Sequence, residues 1–121
     1  MFIIDDKYNM HLNRGDRAII KLTNTDSTFV AGDRLVFSVM KKNNAGDIVF
    51  QKIFNVEENA QTFDMILLPE ETRLGPVIRT GTVTYWYEIE YNGMNTLVGY
   101  FTDGPKEFIL YPEAAYQEGS V

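Results

Sequence analysis

The sequence predicts an all-β fold, an antiparallel β-sandwich of Ig-like size with about seven to eight strands and one short helical turn. The first observation is a pair of matched turns, Gly15-Asp16 and Gly32-Asp33, each followed by a run in which apolar and polar residues alternate. A turn that leads into a period-two pattern is typical of a half-buried antiparallel strand. The second observation is that such runs recur at short spacing along the 121 residues. This spacing favours a sandwich, but it does not by itself exclude a closed barrel.

The predicted strands share this alternation and are bounded by turn residues: 9–12, 17–24, 33–41, 48–56, 61–68, 82–91, 96–102 and 106–111. Residues 69–75 predict a single helical turn, because proline comes early, acids follow it and glycine ends the segment. Asn92-Gly93 is the strongest hairpin signal in the chain. We expect one domain, residues 1–121, in which the segment 113–121 has little to bury and frays.

The strand 82–91 has the clearest alternation and contains the first candidate contact residue. Tyr85, Tyr87 and Ile89 fall on one face, which predicts that they are core residues. Trp86 falls on the opposite face between polar neighbours, where a tryptophan could stack on a sugar ring or anchor a protein partner. The alternative, which we favour, is that the N-terminal segment 2–4 covers Trp86.

Composition excludes several classes of partner. The net charge of -6 and the pI near 4.7 argue against nucleic acid and against an anionic membrane surface. Cysteine is absent and histidine occurs once, so thiolate sites and two-histidine motifs are excluded. We find no signal peptide and no apolar run of membrane-spanning length. These features predict a chain that stays in the cytoplasm unless it leaves as part of a larger particle.

The sequence offers no catalytic set. The acid pairs 5–6, 57–58 and 70–71 lie at a terminus, in a loop and at a helix start, and neighbours on a strand point to opposite faces. His11 has no nucleophile motif near it, and we expect it to be a neutral, partly exposed residue of an edge strand. The tripeptide Arg-Gly-Asp at 14–16 opens a strand, so we do not interpret it as an adhesion motif. We therefore expect no catalytic residues, no cofactor-binding residues and no metal site.

Edge strands suggest how the chain associates. The segments 9–12 and 106–111 are the predicted edges, and neither contains proline, although the second has four apolar residues in succession. One face of the strand 106–111 must pack inward, which leaves Ile109 and Tyr111 as candidate contact residues. We expect a homo-oligomer, or a monomer that assembles only on its partner, through this edge.

Several segments together resemble small proteins and N-terminal modules of tail and baseplate regions in phages and prophages of Gram-positive hosts. In that group a "TRGD" opening, a "GD" strand ending in Lys-Lys, an "LPEDT" turn, a "YxYxI" strand and a final "FxI" strand follow in order. The matching segments here are 13–16, 32–42, 68–72, 85–89 and 108–110. Asn13 stands where threonine is usual, and the loop 74–81 is longer than in that group.

The resemblance implies a β-sandwich that docks onto other virion proteins without catalytic residues. It supports a structural or adaptor role in a tail or baseplate assembly, located in the host cytoplasm during assembly and then in the virion. The partners would be other tail proteins or identical copies. The main alternative is a carbohydrate-binding module that uses an aromatic platform around Trp86, and a third is a small host-encoded inhibitor or accessory domain.

Overall fold

The computed structural model describes residues 2–25, 27–42, 46–93, 95–98 and 104–113, with backbone alone for 95–98. Its helix is the single turn α1 (Pro69–Thr72). Its strands are β1 (Phe2–Ile4), β2 (Met10–Asn13), β3 (Ala18–Thr23), β4 (Arg34–Met40), β5 (Ile48–Asn55), β6 (Thr62–Leu67), β7 (Val83–Tyr91), β8 (Asn95–Val98) and β9 (Lys106–Tyr111).

The described strands form two sheets, which confirms the predicted all-β sandwich. The larger sheet has seven strands in the order β1-β2-β9-β7-β4-β5, and β8 also pairs with β7. The smaller sheet consists of β3 and β6. The described strands agree with the predicted ones apart from small shifts of their ends, and β1 is a strand that the sequence did not predict. Residues 99–102 of the predicted strand 96–102 lie outside the described residues. One described pair, β2 with β9, is parallel, although the sequence predicted antiparallel strands throughout.

The core lies between the sheets and includes the predicted face of β7. Tyr85, Tyr87 and Ile89 are buried, and the Tyr87 ring stacks on Phe37 with centroids 5.6 Å apart. The other core residues are Met10, Leu12, Ala18, Ile20, Phe29, Leu35, Val39, Val56, Met65, Leu67, Ile78, Phe108 and Leu110. We call the side of the seven-stranded sheet that packs on β3 and β6 its inner face, and the opposite side its outer face.

Local signals account for the turns of the larger sheet. Asn92 and Gly93 both have positive φ, 54° and 66°, as a tight hairpin between β7 and β8 requires. Gly15 and Gly32 open the two matched turns at φ of 90° and 96°, a region that favours glycine. The turn at Gly32 places Asp33, whose carboxylate accepts hydrogen bonds from three groups of neighbouring segments, at the start of β4.

Arg14 is a structural residue rather than part of a presented adhesion motif. It is 7% exposed, and its guanidinium donates to the carbonyl oxygens of Arg73 at 3.3 Å, Leu74 at 3.3 Å and Gly75 at 2.8 Å. It also pairs with the Glu113 carboxylate at 3.3 Å. These bonds join the turn between β2 and β3 to the loop after α1.

Glu113, the first residue of the segment 113–121 that we expected to fray, makes specific contacts in the structure. Glu113 also pairs with Arg73 at 3.0 Å, and its side chain is only 12% exposed. Two arginines therefore fix this residue, an interaction that a purely local interpretation could not find. Residues 114–121 lie outside the described residues.

The predicted edge strands are wrong. β9 lies between β2 and β7, and β2 lies between β1 and β9, so neither segment is an edge of the sheet. The physical reason is the parallel pairing of β2 with β9, which joins segments almost a hundred residues apart and covers the side of β9 that we expected to be free. The edges on the described path are β1 and β5.

Tyr87 tests the phase of β7. Its side chain is fully buried, and its hydroxyl donates to the carbonyl oxygen of Tyr8 at 2.6 Å. We expect Tyr87→Ala to lower the free energy of unfolding by about 3–5 kcal/mol, the usual cost of emptying a buried aromatic site. Tyr87→Phe removes only the hydrogen bond and should cost about 1 kcal/mol.

Urea denaturation followed by circular dichroism measures both Tyr87 variants. The matched control is Glu90→Ala on the exposed side of the same strand, which should change the free energy of unfolding by no more than about 0.5 kcal/mol. Equal denaturation midpoints for Tyr87→Ala and Glu90→Ala would contradict the assigned phase.

Candidate functional site

The candidate contact residues all lie on the outer face of the seven-stranded sheet. Trp86 in β7 lies opposite Glu107 in β9, and Thr84 lies opposite Ile109. Because side chains alternate along a strand, Tyr111 shares the face of Ile109. All three candidates, Trp86, Ile109 and Tyr111, are half-buried. The residues on either side of Trp86 and of Ile109, and the residue before Tyr111, are core residues.

Trp86 sits in the middle of this face. Its partners across the strands are Met40 in β4 and Glu107 in β9. Met40 is 1% exposed although it is not part of the core between the sheets, so the outer face has apolar packing of its own. The expectation that segment 2–4 covers Trp86 is wrong, because β1 continues the same sheet with β2 and β9 between it and β7.

Tyr111 belongs to a hydrogen-bonded chain of three side chains. Its hydroxyl lies 2.9 Å from Nδ1 of His11, and Nε2 of His11 lies 2.9 Å from Oδ2 of Asp5. Oδ1 of Asp5 accepts the backbone N–H groups of Lys7 and Asn9, which orients the carboxylate. The hydrogen bond from His11, followed by those from the backbone, lowers the pKa of the Asp5 carboxyl.

The hydrogen-bonded series of Asp5, His11 and Tyr111 has the same connectivity as a carboxylate–imidazole–hydroxyl relay. A catalytic relay also needs a site beside the hydroxyl where oxyanion donors meet a substrate. Here the three side chains lie along the outer face of β2 and β9, and they tie the β1–β2 turn to the last strand. We therefore assign Asp5, His11 and Tyr111 to positioning of the outer face. His11 is partly exposed as expected, but it is not at an edge.

Glu88 is the most unusual polar residue of the outer face. Its Oε1 atom is buried and has no hydrogen-bond partner among the described residues. Burial, and then the charge of Glu90, raises the pKa of the Glu88 carboxyl. A buried carboxylate oxygen without a donor is costly, so a donor supplied by a ligand would stabilise it. The sequence showed Glu88 only as a polar residue of an alternating strand.

The charges of this face are mainly negative around Trp86. Glu107 lies across from the indole, and Glu88 and Glu90 follow it along β7. The face therefore combines an aromatic ring, aliphatic surface from Ile109 and three carboxylates. Such a surface suits a partner that offers apolar side chains together with hydrogen-bond donors or positive charge.

The described part of the chain contains no cluster of metal-ligating side chains and no membrane-spanning helix. Among those residues, no three histidine, aspartate or glutamate side chains lie together as a possible metal site. The same residues include no helix long and apolar enough to cross a membrane. Of the acid pairs, Glu71 caps the N–H of Leu68 at 2.8 Å and pairs with Lys52 at 2.7 Å, which are structural contacts.

Comparisons with known proteins leave the fold and the site to be interpreted on their own geometry. Scans against protein-family models, curated proteins and solved structures each gave no match.

The raised pKa of Glu88 predicts a stability effect with a defined sign. An acid whose pKa is higher in the folded state than its ordinary 4.5 destabilises the fold when it ionises. This loss of stability is present at neutral pH and disappears as the pH falls below the unfolded value. We expect Glu88→Gln to raise the melting temperature at about pH 7 and to leave it nearly unchanged at about pH 3.5.

Thermal denaturation at the two pH values measures this difference. Glu90→Gln is the matched control, because Glu90 is exposed on the same strand and should give a smaller gain at neutral pH. A gain for Glu88→Gln that persists undiminished in acid would show that the ionised carboxylate is not its cause.

Proposed function

We propose that this chain is a non-enzymatic structural or adaptor module of a phage or prophage tail or baseplate, and that it binds a protein partner through the outer face. The observation that carries the proposal is that Trp86, Ile109 and Tyr111 lie together on the face turned away from the second sheet. Partly exposed aromatic and aliphatic side chains grouped on a rigid sheet are typical of protein-binding surfaces.

The phage assignment rests on the resemblance of the sequence, and the contacts between the matching segments support it. The N–H of Gly15 donates to Oγ1 of Thr72 at 3.0 Å, and the same hydroxyl donates to the carbonyl oxygen of Asp16 at 2.8 Å. Thr72 is completely buried. The segments 13–16 and 68–72 are therefore in direct contact in the folded chain, as we would expect if they matched as parts of one module.

The partner's chemistry follows from the charges of the outer face. Glu107 lies opposite Trp86, and Glu88 and Glu90 follow it along β7, so we expect a tail protein that presents lysine or arginine beside an apolar centre. The buried Oε1 of Glu88 would accept one of those donors. In this proposal the chain is made in the host cytoplasm and becomes part of the virion.

Purified particles test the proposal. A tagged chain is produced in a lysogen of the host, the prophage is induced, and particles are isolated by density-gradient centrifugation. We expect the wild-type chain to accompany the particles and Trp86→Ala to reduce its amount about tenfold or more, as for an aromatic hot spot.

Ile19→Ala is the control for the particle experiment, because Ile19 is 42% exposed and lies on the smaller sheet. Absence of the wild-type chain from particles, or a gene set among metabolic operons far from tail genes, would contradict the proposed function. Equal losses for Ile19→Ala and Trp86→Ala would contradict the assignment of the outer face.

A carbohydrate ligand is the second candidate, favoured by one specific observation. Oε1 of Glu88, two residues from Trp86 on the same face, lacks a donor among the described residues. A sugar that stacks on the indole presents hydroxyl groups which could donate to such a carboxylate. We expect binding on a glycan array to be lost in Trp86→Ala and weakened in Glu88→Gln. Glycan binding that survives Trp86→Ala would exclude this candidate.

A further inference from the structure

We infer that the free edge of β5 pairs with β5 of a second copy of this chain, so that two seven-stranded sheets join into one across a two-fold axis. This contact lies along the border of the sheet, apart from the surface formed by Trp86, Ile109 and Tyr111, and it goes beyond the proposed function. It replaces β9, which is an interior strand, as the surface for self-association.

The backbone of β5 has hydrogen-bonding groups that face away from the sheet. The N–H of Val56 donates to the carbonyl of Asp33, and the carbonyl of Arg34 accepts from Asn92 on the β7 side. Residues of an antiparallel pair bond alternately to one neighbour and to the other, so Phe54 directs its groups at β4, as Val56 does. The alternate residues Gln51, Ile53 and Asn55 direct theirs away. In the described part of the chain β5 pairs only with β4.

The side chains along this edge are apolar and exposed. Ile48, Val49 and Ile53 are 51%, 44% and 49% exposed. A long edge strand with such side chains is a template for another strand unless proline, charge or a covering segment blocks it. β5 contains no proline.

Charge also favours a second copy as the occupant. The chain has a net charge of -6, which opposes self-association over most of its surface, yet the eight residues of β5 include no carboxylate. The charge in β5, on Lys52, is directed to the inner face, where Nζ pairs with Glu71 at 2.7 Å and donates to the Ile66 carbonyl at 2.9 Å. Each copy therefore brings an edge without unpaired charge to the other.

Two-fold symmetry and an irregularity in the β4–β5 pairing select the register in which the two β5 strands pair. The pairing of β4 with β5 is irregular between Val39 and Met40, so the regular part of the edge starts at Phe50. An antiparallel pair centred on Ile53 uses only regular residues and places the two Ile53 side chains together on the outer face. Gln51 of each copy then lies opposite Asn55 of the other, and the two Lys52 side chains are not opposed.

Light scattering over a range of protein concentrations tests the dimer. A standard protein interface buries about 1,600 Å², and pairing of two edge strands buries less, so the dimer should be weak. We therefore expect the measured mass to rise with protein concentration from 13.9 kDa toward twice that value. Ile53→Lys should hold the mass at the monomer value. Gln51→Pro should do the same, because its N–H is directed away from β4 and proline removes this backbone donor from the free edge. The substitution also removes the exposed side-chain hydrogen bond from Gln51 to the Ser38 hydroxyl at 2.9 Å, which does not belong to the β4–β5 backbone ladder.

Ile19→Lys is the control, since Ile19 is a similarly exposed strand residue of the smaller sheet. Circular dichroism establishes that each variant is folded. A wild-type chain that stays at the monomer mass at every concentration would overturn the inference. So would folded Ile53→Lys and Gln51→Pro variants that associate as the wild type does.

The absence of native cysteine allows a direct test of register. Two residues in a hydrogen-bonded pair have Cα atoms about 5.5 Å apart, within the range that a disulfide spans. We expect Ile53→Cys to form a disulfide-linked dimer on mild oxidation and Ile19→Cys to remain monomeric. Equal cross-linking of the two variants, or none for Ile53→Cys, would overturn the pairing centred on Ile53.

Discussion

The carboxylate of Asp33 accepts hydrogen bonds at the point where β4 begins, β5 ends and β7 turns into β8. Its donors are the Tyr91 hydroxyl at 2.5 Å, the Asn92 amide at 3.0 Å and the N–H of Val30 at 2.9 Å. The first of these bonds does most to lower the pKa of the Asp33 carboxyl. Because its carbonyl oxygen also accepts the N–H of Val56, this one residue fixes the relative position of three strands. It thereby ties together the ends of the strands that flank the central part of the larger sheet.

Local physical chemistry explains which parts of the fold were predictable. Asn92-Gly93 takes positive φ at both residues, and the alternation of β7 divides buried from half-buried side chains as its sequence indicates. Each of these features is decided within a few residues, by sterics or by the period of a strand. The described strands other than β1, and the outward direction of Trp86, Ile109 and Tyr111 on their own strands, were therefore accessible from the sequence alone.

Long-range pairing explains what was not predictable. The register of β2 with β9 brings His11 beside Ile109 and places its imidazole against Tyr111. Nothing near either segment in the sequence signals that pairing, since both are short alternating runs. For the same reason, the sequence did not predict the hydrogen bonds that join Asp5, His11 and Tyr111, or the pairing of Glu113 with Arg14 and Arg73. Glu88 was not predicted for another reason. One of its carboxylate oxygens is buried without a hydrogen-bond partner among the described residues, on a face that period-two alternation predicts to be solvated.

The interior position of β9, where the sequence predicted an edge strand, determines how Ile109 and Tyr111 can contact a partner. At an edge, Ile109 and Tyr111 would accompany free backbone groups, and a partner would bind by extending the sheet. In the interior, the backbone groups of β9 are shared with β2 and β7, so only its side chains can contact a partner. The partner proposed for the outer face would therefore be selected by side-chain chemistry, whereas the copy proposed at β5 would be bound through backbone groups. Because one surface lies across the sheet and the other along its border, binding of the proposed partner would not exclude the proposed dimer.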